Sequence, residues 1–583
     1  MPEASISQKT PRKGRFSWSQ VFMALGSSAF LASWLVPNHY LPWTSFHNES
    51  VMFLALGLLA VALLAGKTSF QIDGLPLLTG LLALVIVLQW QTGLIAYHGD
   101  AALSGLYLAG FALAWWAAGN AASEDAWTER LLAWMAALLV CAAAMSVYVA
   151  LLQWLGMEAG HANLVSEREN TGRPGGNLGQ PNHLATLLLM GTASSVLLYA
   201  LGRIKIWQLT VLVVWLALGL TMAESRASWL AAALMGALYL YISHGRKIWS
   251  RAPGPGAVAA WWTMLSLMWF AWKPVNEALL LTATRDIGAI TQDSVRLVMW
   301  RQLLSGIEQS PWWGYGWRQT VVGQKAGSAY ITGAPITDYA HSLVLDLCLW
   351  VGVPLAIVLT AGAAWWLLRA VRRISDLKQL LLVCSVVPVL VHSLVEFPFA
   401  YSYFLFTTGG LLGVLNSLQS GREKKMLTRQ VPRGRLMPAT FVLLFAGLST
   451  WAGVEYAVAE DDFRVMRFEM RNVGQRPPEH KVPDLKLLDQ LGEILALGRV
   501  KPAPGMDPKD IERLRVASDA TMWATAQMRY AVALGLNGNP EEATRQLRGL
   551  RAYYGESSYR HAKALFLELQ QERYPELTAV RLP

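Results

Sequence analysis

The 583-residue chain is 54% hydrophobic and only 15% charged, with 26 tryptophans and a formal net charge of +10. So few charges and so many apolar residues exclude a soluble globular chain and a disordered one. The three cysteines, Cys141, Cys348 and Cys384, sit within apolar segments. They read as small buried residues and supply neither a disulfide framework nor a metal site.

In chain order, a basic start (Lys9, Arg12, Lys13) precedes an apolar run at 20–37. Further spans follow directly, so this run reads as an uncleaved first span instead of a signal peptide. Apolar runs recur at 51–66, 75–90, 101–119 and 132–155. After a polar connection they resume at 184–201, 207–222, 228–243 and 257–272, then at 343–368, 378–395, 399–418 and 439–457. These are roughly thirteen candidate spans of about the length that crosses a hydrocarbon core. No bilayer-spanning β pattern is visible, so the expected fold is an all-α polytopic membrane protein.

The basic residues fall in alternate connections: Lys67, Arg203 and Lys205, Arg246 and Lys247, Arg369 to Arg373, and Arg422 to Arg435. That bias explains the net charge without nucleic acid and marks the cytoplasmic side. The opposite, outer side then receives the connection at 157–182, the turns around Arg226 and His392, the long insert 274–340, and the tail. The expected domains are a membrane part (1–456) carrying that insert and a periplasmic helical part (457–583). Within the tail, 521–536 and 540–554 around Asn539-Pro540 form one helix-turn-helix unit like a tetratricopeptide repeat.

The outer connections hold the unusual residues. Gly172 to His183 is glycine-rich but lacks the lysine and hydroxyl residue of a phosphate-binding P-loop. Its glycines suit a turn and helix cap, while Gln180, Asn182 and His183 are candidates for positioning a substrate. Arg226 lies between two spans, where a guanidinium reads equally as a functional cation or as a partner of Glu224 or lipid headgroups. Arg296 and Arg301 lie on an amphipathic helix predicted over 293–310. Alone they read as a solvated face, but several cations beside an apolar groove match a phosphate. His341 follows the insert and is a candidate general base. Asp338, three residues earlier, either orients it or caps the next helix. His392, Glu396 and Tyr401 bracket Pro398, where packing and catalytic support compete evenly. Asp346 is the one acid placed within the first turns after His341. No dense group of His, Asp and Glu has ligand spacing, so neither a metal nor another cofactor is expected.

Taken in order, Gly179-Gln180-Pro181-Asn182-His183, Ser225-Arg226, Arg296-Leu297-Val298-Met299-Trp300, Pro311-Trp312-Trp313-Gly314-Tyr315-Gly316-Trp317, Ala340-His341 and the segment from His392 to Pro398 resemble the O-antigen ligase superfamily. Within it, the chain is most similar to PglL-type bacterial protein (pilin) O-oligosaccharyltransferases. The resemblance covers most of the membrane region, and the polar tail matches the extra domain of that branch. It departs at Ser342, where relatives often carry asparagine.

The resemblance implies a glycosyltransferase of the bacterial inner membrane, facing the periplasm, that takes a preassembled glycan from undecaprenyl diphosphate. The acceptor it implies is a Ser or Thr hydroxyl of a pilin-like protein. Arg226 and Arg296, with Arg301 beside them, would hold the diphosphate, His341 would activate the hydroxyl, and Gln180 and Tyr401 would place substrate. Lipid A core or a second lipid-linked glycan are the rival acceptors. A lipid-linked glycan transporter is the rival of a different class; it predicts inverted repeats and midplane charges, which the sequence does not display.

Overall fold

A backbone in hydrocarbon must satisfy its own hydrogen bonds, and each apolar run accordingly folds as helix. The computed structural model describes residues 17–65, 67, 70–71, 73–123, 125–168, 172–248, 251–281, 291–420, 436–470 and 481–583. The basic segments at 9–13 and 422–435, and Pro477-Pro478, lie outside the described residues. Among those described there is no strand.

The membrane part contains α1 (Trp18–Ser33), α2 (Phe46–Leu64), α3 (Gly74–Gln91), α4 (His98–Ala121), α5 (Asp125–Trp154), α6 (Pro181–Ala200), α7 (Ile206–Ala223), α8 (Arg226–Arg246) and α9 (Pro255–Ala278). The insert adds α10 (Thr291–Gln309) and α11 (Thr320–Ser328); then follow α12 (Leu343–Val351), α13 (Val353–Arg372), α14 (Leu377–His392), α15 (Ser402–Ser420) and α16 (Leu436–Met470). Among the described residues, nine helices are long and apolar enough to cross a membrane: α2 to α8, α13 and α16. The four other expected spans are helical as well, as α1, α9, α14 and α15. The chain is a multi-pass membrane protein.

The central helix is α6, which packs against α5, α7 and α14 and buries Leu184, Leu187 and Leu188 completely. Small residues let other helices close up. A Cβ on Gly413 of α15 would stand 2.2 Å from the Trp115 carbonyl of α4, so only glycine permits that crossing. Arg246 donates to the Arg372 carbonyl at 2.6 Å, which brings two of the basic connections together at one end of the bundle.

The sequence reads 343–368 as one span, but the structure breaks it at Gly352. That residue has φ +79°, and a Cβ there would meet the Trp312 carbonyl at 2.2 Å. Into the break docks the aromatic motif of the insert. Tyr315 N donates to the Leu349 carbonyl (2.6 Å), and Val353 N donates to the Pro311 carbonyl (2.7 Å). The tryptophan- and glycine-rich segment is thus a bracket that pins the insert to the bundle, and α12 becomes a short separate helix behind His341.

The last membrane helix, α16, runs through Tyr456 to Met470 without interruption. Glu455 then accepts from the backbone of Lys486, Leu487 and Leu488, which starts the tail. There α17 (Asp489–Leu497), α18 (Pro508–Ala520), α19 (Ala524–Leu536) and α20 (Pro540–Glu572) follow. The expected helical pair is present as α19 and α20. Asn539 caps α20 through Glu542 N (3.3 Å), and Ala531, Ala543 and Leu547 are fully buried between them. A kink at Gly555 (φ 78°, ψ 173°) redirects α20.

Candidate active site

Four connections converge on one carboxylate. Pro181 fixes the first turn of α6, which presents Asn182. At the end of α14 the chain turns back, with Glu396 N bonded to the His392 carbonyl at 2.6 Å, and this places the Glu396 side chain beside Asn182. From α10 comes Arg296. His341 completes the set, and its backbone is held from three directions. Trp300 Nε1 donates to the Ala340 carbonyl at 2.8 Å, Ala340 N donates to Asp346 Oδ1 at 2.9 Å, and Leu343 N donates to the Ser393 carbonyl at 2.8 Å. His341 itself has φ +52°, a left-handed conformation that costs a non-glycine residue about 1–3 kcal/mol and persists only where surroundings enforce it.

Glu396 is the hub. Its Oε1 accepts from Arg296 Nη2 at 2.7 Å and from Asn182 Nδ2 at 2.8 Å; its Oε2 lies 2.8 Å from His341 Nδ1. Burial would raise its pKa, but the hydrogen bond and charge of His341, with the charge of Arg296, outweigh that and hold it at about 2. An ionised carboxylate only accepts, so His341 Nδ1 carries the proton. In the neutral imidazole Nε2 is then the free base, oriented as in other carboxylate–histidine pairs. The Arg296 side chain is 40% exposed against 5% for Glu396. One of its donors is spent on Glu396, and the outer part of the fork remains reachable by a ligand.

Beneath lies an aromatic floor. Phe397 meets the His341 ring edge-on at 4.6 Å and stacks on Tyr339 at 5.2 Å. His183 is buried among Tyr401 (4.7 Å), Phe404 (5.7 Å) and Phe397 (5.9 Å). The Thr186 hydroxyl donates to the Asn182 carbonyl at 2.9 Å, so His392 Nδ1–H donates to Thr186 Oγ1. Both histidines are 1% exposed and touch the site through packing, not through a ligand-facing nitrogen. Gln180 is the half-buried N-cap of α6.

The cations do not all gather. Arg226 opens α8 with an exposed side chain, and it is not among the donors to Glu396. Glu224, its expected partner, is buried and accepts from Trp272 Nε1 at 2.9 Å. Arg301 is exposed; five residues on, it points about 140° around α10 from Arg296. Asp338 makes no hydrogen bond to His341; the orienting acid is Glu396, 55 residues further along.

Comparison with known proteins follows this geometry. Residues 211–360 match the O-antigen ligase family model, and residues 174–199 match the model for protein glycosylation ligase. Residues 380–566 match that for virulence factor membrane-bound polymerase, C-terminal. A general O-oligosaccharyltransferase of Acinetobacter baylyi (strain ATCC 33305 / BD413 / ADP1) is 27% identical over 546 residues, 90% of this chain and 91% of the relative. Together these matches support the O-antigen ligase superfamily, PglL type, for this chain. A ComP-specific O-oligosaccharyltransferase of the same organism is 30% identical over 247 residues, covering 42% of this chain and 44% of the relative. The ligase is therefore an enzyme of the glycosyltransferase class.

Two features of this ligase were not readable from its motifs. Asp346, buried at 0% exposure, ties Ala340 N to the Thr320 hydroxyl (2.7 Å), so it braces the loop carrying His341 from behind. The tail also reaches that loop. Lys325 of α11 donates to the carbonyls of Ser518, Asp519 (3.4 Å) and Thr521 (2.8 Å), capping the negative end of α18. Ile336 N donates to the Tyr553 carbonyl at 3.2 Å. Gln324 continues the chain of bonds: it donates to the Pro335 carbonyl and accepts from Thr337 N, both at 2.9 Å.

Proposed function

We propose that this ligase transfers a preassembled oligosaccharide en bloc from undecaprenyl diphosphate to Ser or Thr hydroxyls of periplasmic proteins such as pilins, at an active site facing the periplasm of the bacterial inner membrane. The observation that carries the reading is the Glu396 hub, which holds an oriented imidazole and an exposed guanidinium on one carboxylate. Transfer needs a base for the incoming hydroxyl and a counter-charge for the leaving diphosphate, and this arrangement supplies both. The relatives' names, as O-oligosaccharyltransferases, support a protein acceptor.

In the proposed step the acceptor oxygen attacks the anomeric carbon and its proton passes to His341 Nε2. The bond from that carbon to the diphosphate oxygen breaks, and the electron pair leaves with the lipid diphosphate, whose charge Arg296 meets. One displacement inverts the anomeric centre, and no metal is required. Arg226, exposed at the start of α8, adds positive charge to the diphosphate's approach, whereas Arg301, turned away from Arg296, takes no part. Asn182, Gln180 and Tyr401 place the substrate, with His183 and His392 supporting from below. The membrane part, through residue 456, holds the chemistry, and the helical part from 457 presents the acceptor.

The test is reconstitution of the purified ligase with lipid-linked glycan and either a pilin-like protein or lipid A core. Transfer to the protein is expected, with His341→Ala at least about a hundredfold slower. Transfer to lipid A core alone would overturn the acceptor, and full activity of His341→Ala would overturn the base.

A further inference from the structure

Away from Glu396, a cavity of about 530 Å³ lies among α6, α7, α8, α9 and α14. Val196, Val213, Met235, Val258, Leu381 and Cys384 line it, at least one from each helix. Three hydroxyls in its wall donate to carbonyls: Thr192 to Leu188 (2.9 Å), Thr210 to Ile206 (3.0 Å) and Tyr239 to Pro253 (2.9 Å). Their protons are not available to a ligand, so what they offer is mainly carbon surface. Along α6, Thr192 stands about 15 Å and Tyr199 about 25 Å beyond Asn182. The cavity is therefore no part of the Glu396 hub.

At its far end the wall includes Ile206, Ala252 and Gly254, and Lys205 and Arg251 directly precede that wall in the chain. Arg251 closes on the turn between α6 and α7: a Cβ on Gly202 would stand 2.4 Å from its Nη1. That sets the guanidinium beside the turn that carries Arg203. Arg203, Lys205 and Arg251 are all exposed. Among the described residues, the side chains of Arg203 and Arg251 make no hydrogen bond and no ion pair within 4 Å. No Asp or Glu occurs at 192–214 or 235–264, and Glu129, whose charge reaches Arg203, is held by Lys378 at 2.6 Å. Cations gathered without an acid among them repel one another until an anion joins them.

We propose that this cavity seats one acyl chain of an anionic phospholipid, whose headgroup phosphate rests on Arg203, Lys205 and Arg251. Basic residues at the mouth of a pocket between membrane helices suit an anionic headgroup, and guanidinium forks match phosphate oxygens. At about 30 Å³ per water-sized group, the cavity takes one chain of about 18 carbons. The undecaprenyl chain of the proposed donor is about three times as long and overfills it. The donor's diphosphate also belongs with Arg296, at the opposite end of α6. A seated acyl chain bridges α6 and α14, the helices that carry Asn182 and lead to Glu396.

The experiment strips the full chain of lipid in mild detergent and titrates it with phosphatidylglycerol, phosphatidylcholine or undecaprenyl diphosphate. Bound lipid is counted by native mass spectrometry. One phosphatidylglycerol should bind at least about tenfold more tightly than phosphatidylcholine. Arg203→Ala combined with Arg251→Ala changes exposed side chains only, and unchanged elution on gel filtration shows that the variant is folded. It should bind phosphatidylglycerol about thirtyfold more weakly, as for two cations withdrawn from an anionic lipid. Val213→Trp fills the cavity, leaves the cations in place and should weaken binding of the same lipid. Equal binding of the two phospholipids, or full binding by the cation variant, would overturn the headgroup contact. Full binding by Val213→Trp would overturn the acyl seat. Displacement of phosphatidylglycerol by undecaprenyl diphosphate, one for one, would overturn the proposal by assigning the cavity to the donor's tail. Should Val213→Trp fail to fold, the cation variant and the displacement decide.

Discussion

The Glu396 hub and the Lys325 contact with the tail are both supplied by the insert, yet they use charge in different ways. At the hub every charge is paired and aimed: Arg296, Asn182 and His341 share one carboxylate, and Trp300, Asp346 and Ser393 hold the loop that delivers the imidazole. At the tail the Lys325 ammonium donates only to backbone oxygens, the carbonyls of Ser518, Asp519 and Thr521. Pairing fixes a proton's position and suits chemistry. A cation on the carbonyls at a helix end holds two segments of chain together.

That contrast can be broken experimentally. Glu396→Gln should cut kcat by about a hundredfold or more, because a neutral amide neither fixes the His341 tautomer nor balances Arg296; a change below threefold in steady-state transfer would dissolve the hub. Arg296→Lys should lower kcat by about tenfold, since a point charge cannot bridge Glu396 and a phosphate as a planar fork does. Stability effects are smaller. Gly352→Ala should cost about 1–3 kcal/mol through its positive φ, before the clash with Trp312 is relieved, and a lowered Tm in detergent would register it. Lys325→Met removes charged hydrogen bonds of about 1.5–3 kcal/mol and should expose the tail to limited proteolysis. The weakest effect is on acid stability. Glu396 has its folded pKa lowered from 4.5 to about 2, so its contribution is present above about pH 4.5 and fades as pH falls towards 2. The Tm gap between wild type and Glu396→Gln should stay constant from pH 8 to pH 5 and close only below that.

Helix type and position were legible in the sequence because a span carries its own hydrogen bonds and its own apolar length. The break at Gly352 was not, since its cause is a carbonyl of Trp312 forty residues away in sequence. The same holds at the site. His341 stood out by following a polar insert, and Arg296 by its motif. Asp338 drew attention as a near neighbour, while the acid that orients His341 arrives from the end of α14. Arg301 shows the converse: a basic residue near Arg296 in sequence is turned away by the helix.

The central claim is that Glu396 and His341 act as one unit, and a double-mutant cycle on kcat tests it most directly. If they do, His341→Ala combined with Glu396→Gln will be no slower than His341→Ala alone, because the carboxylate has lost the imidazole it orients. Multiplying losses in the double variant would mean that the two residues work independently, and would contradict the hub.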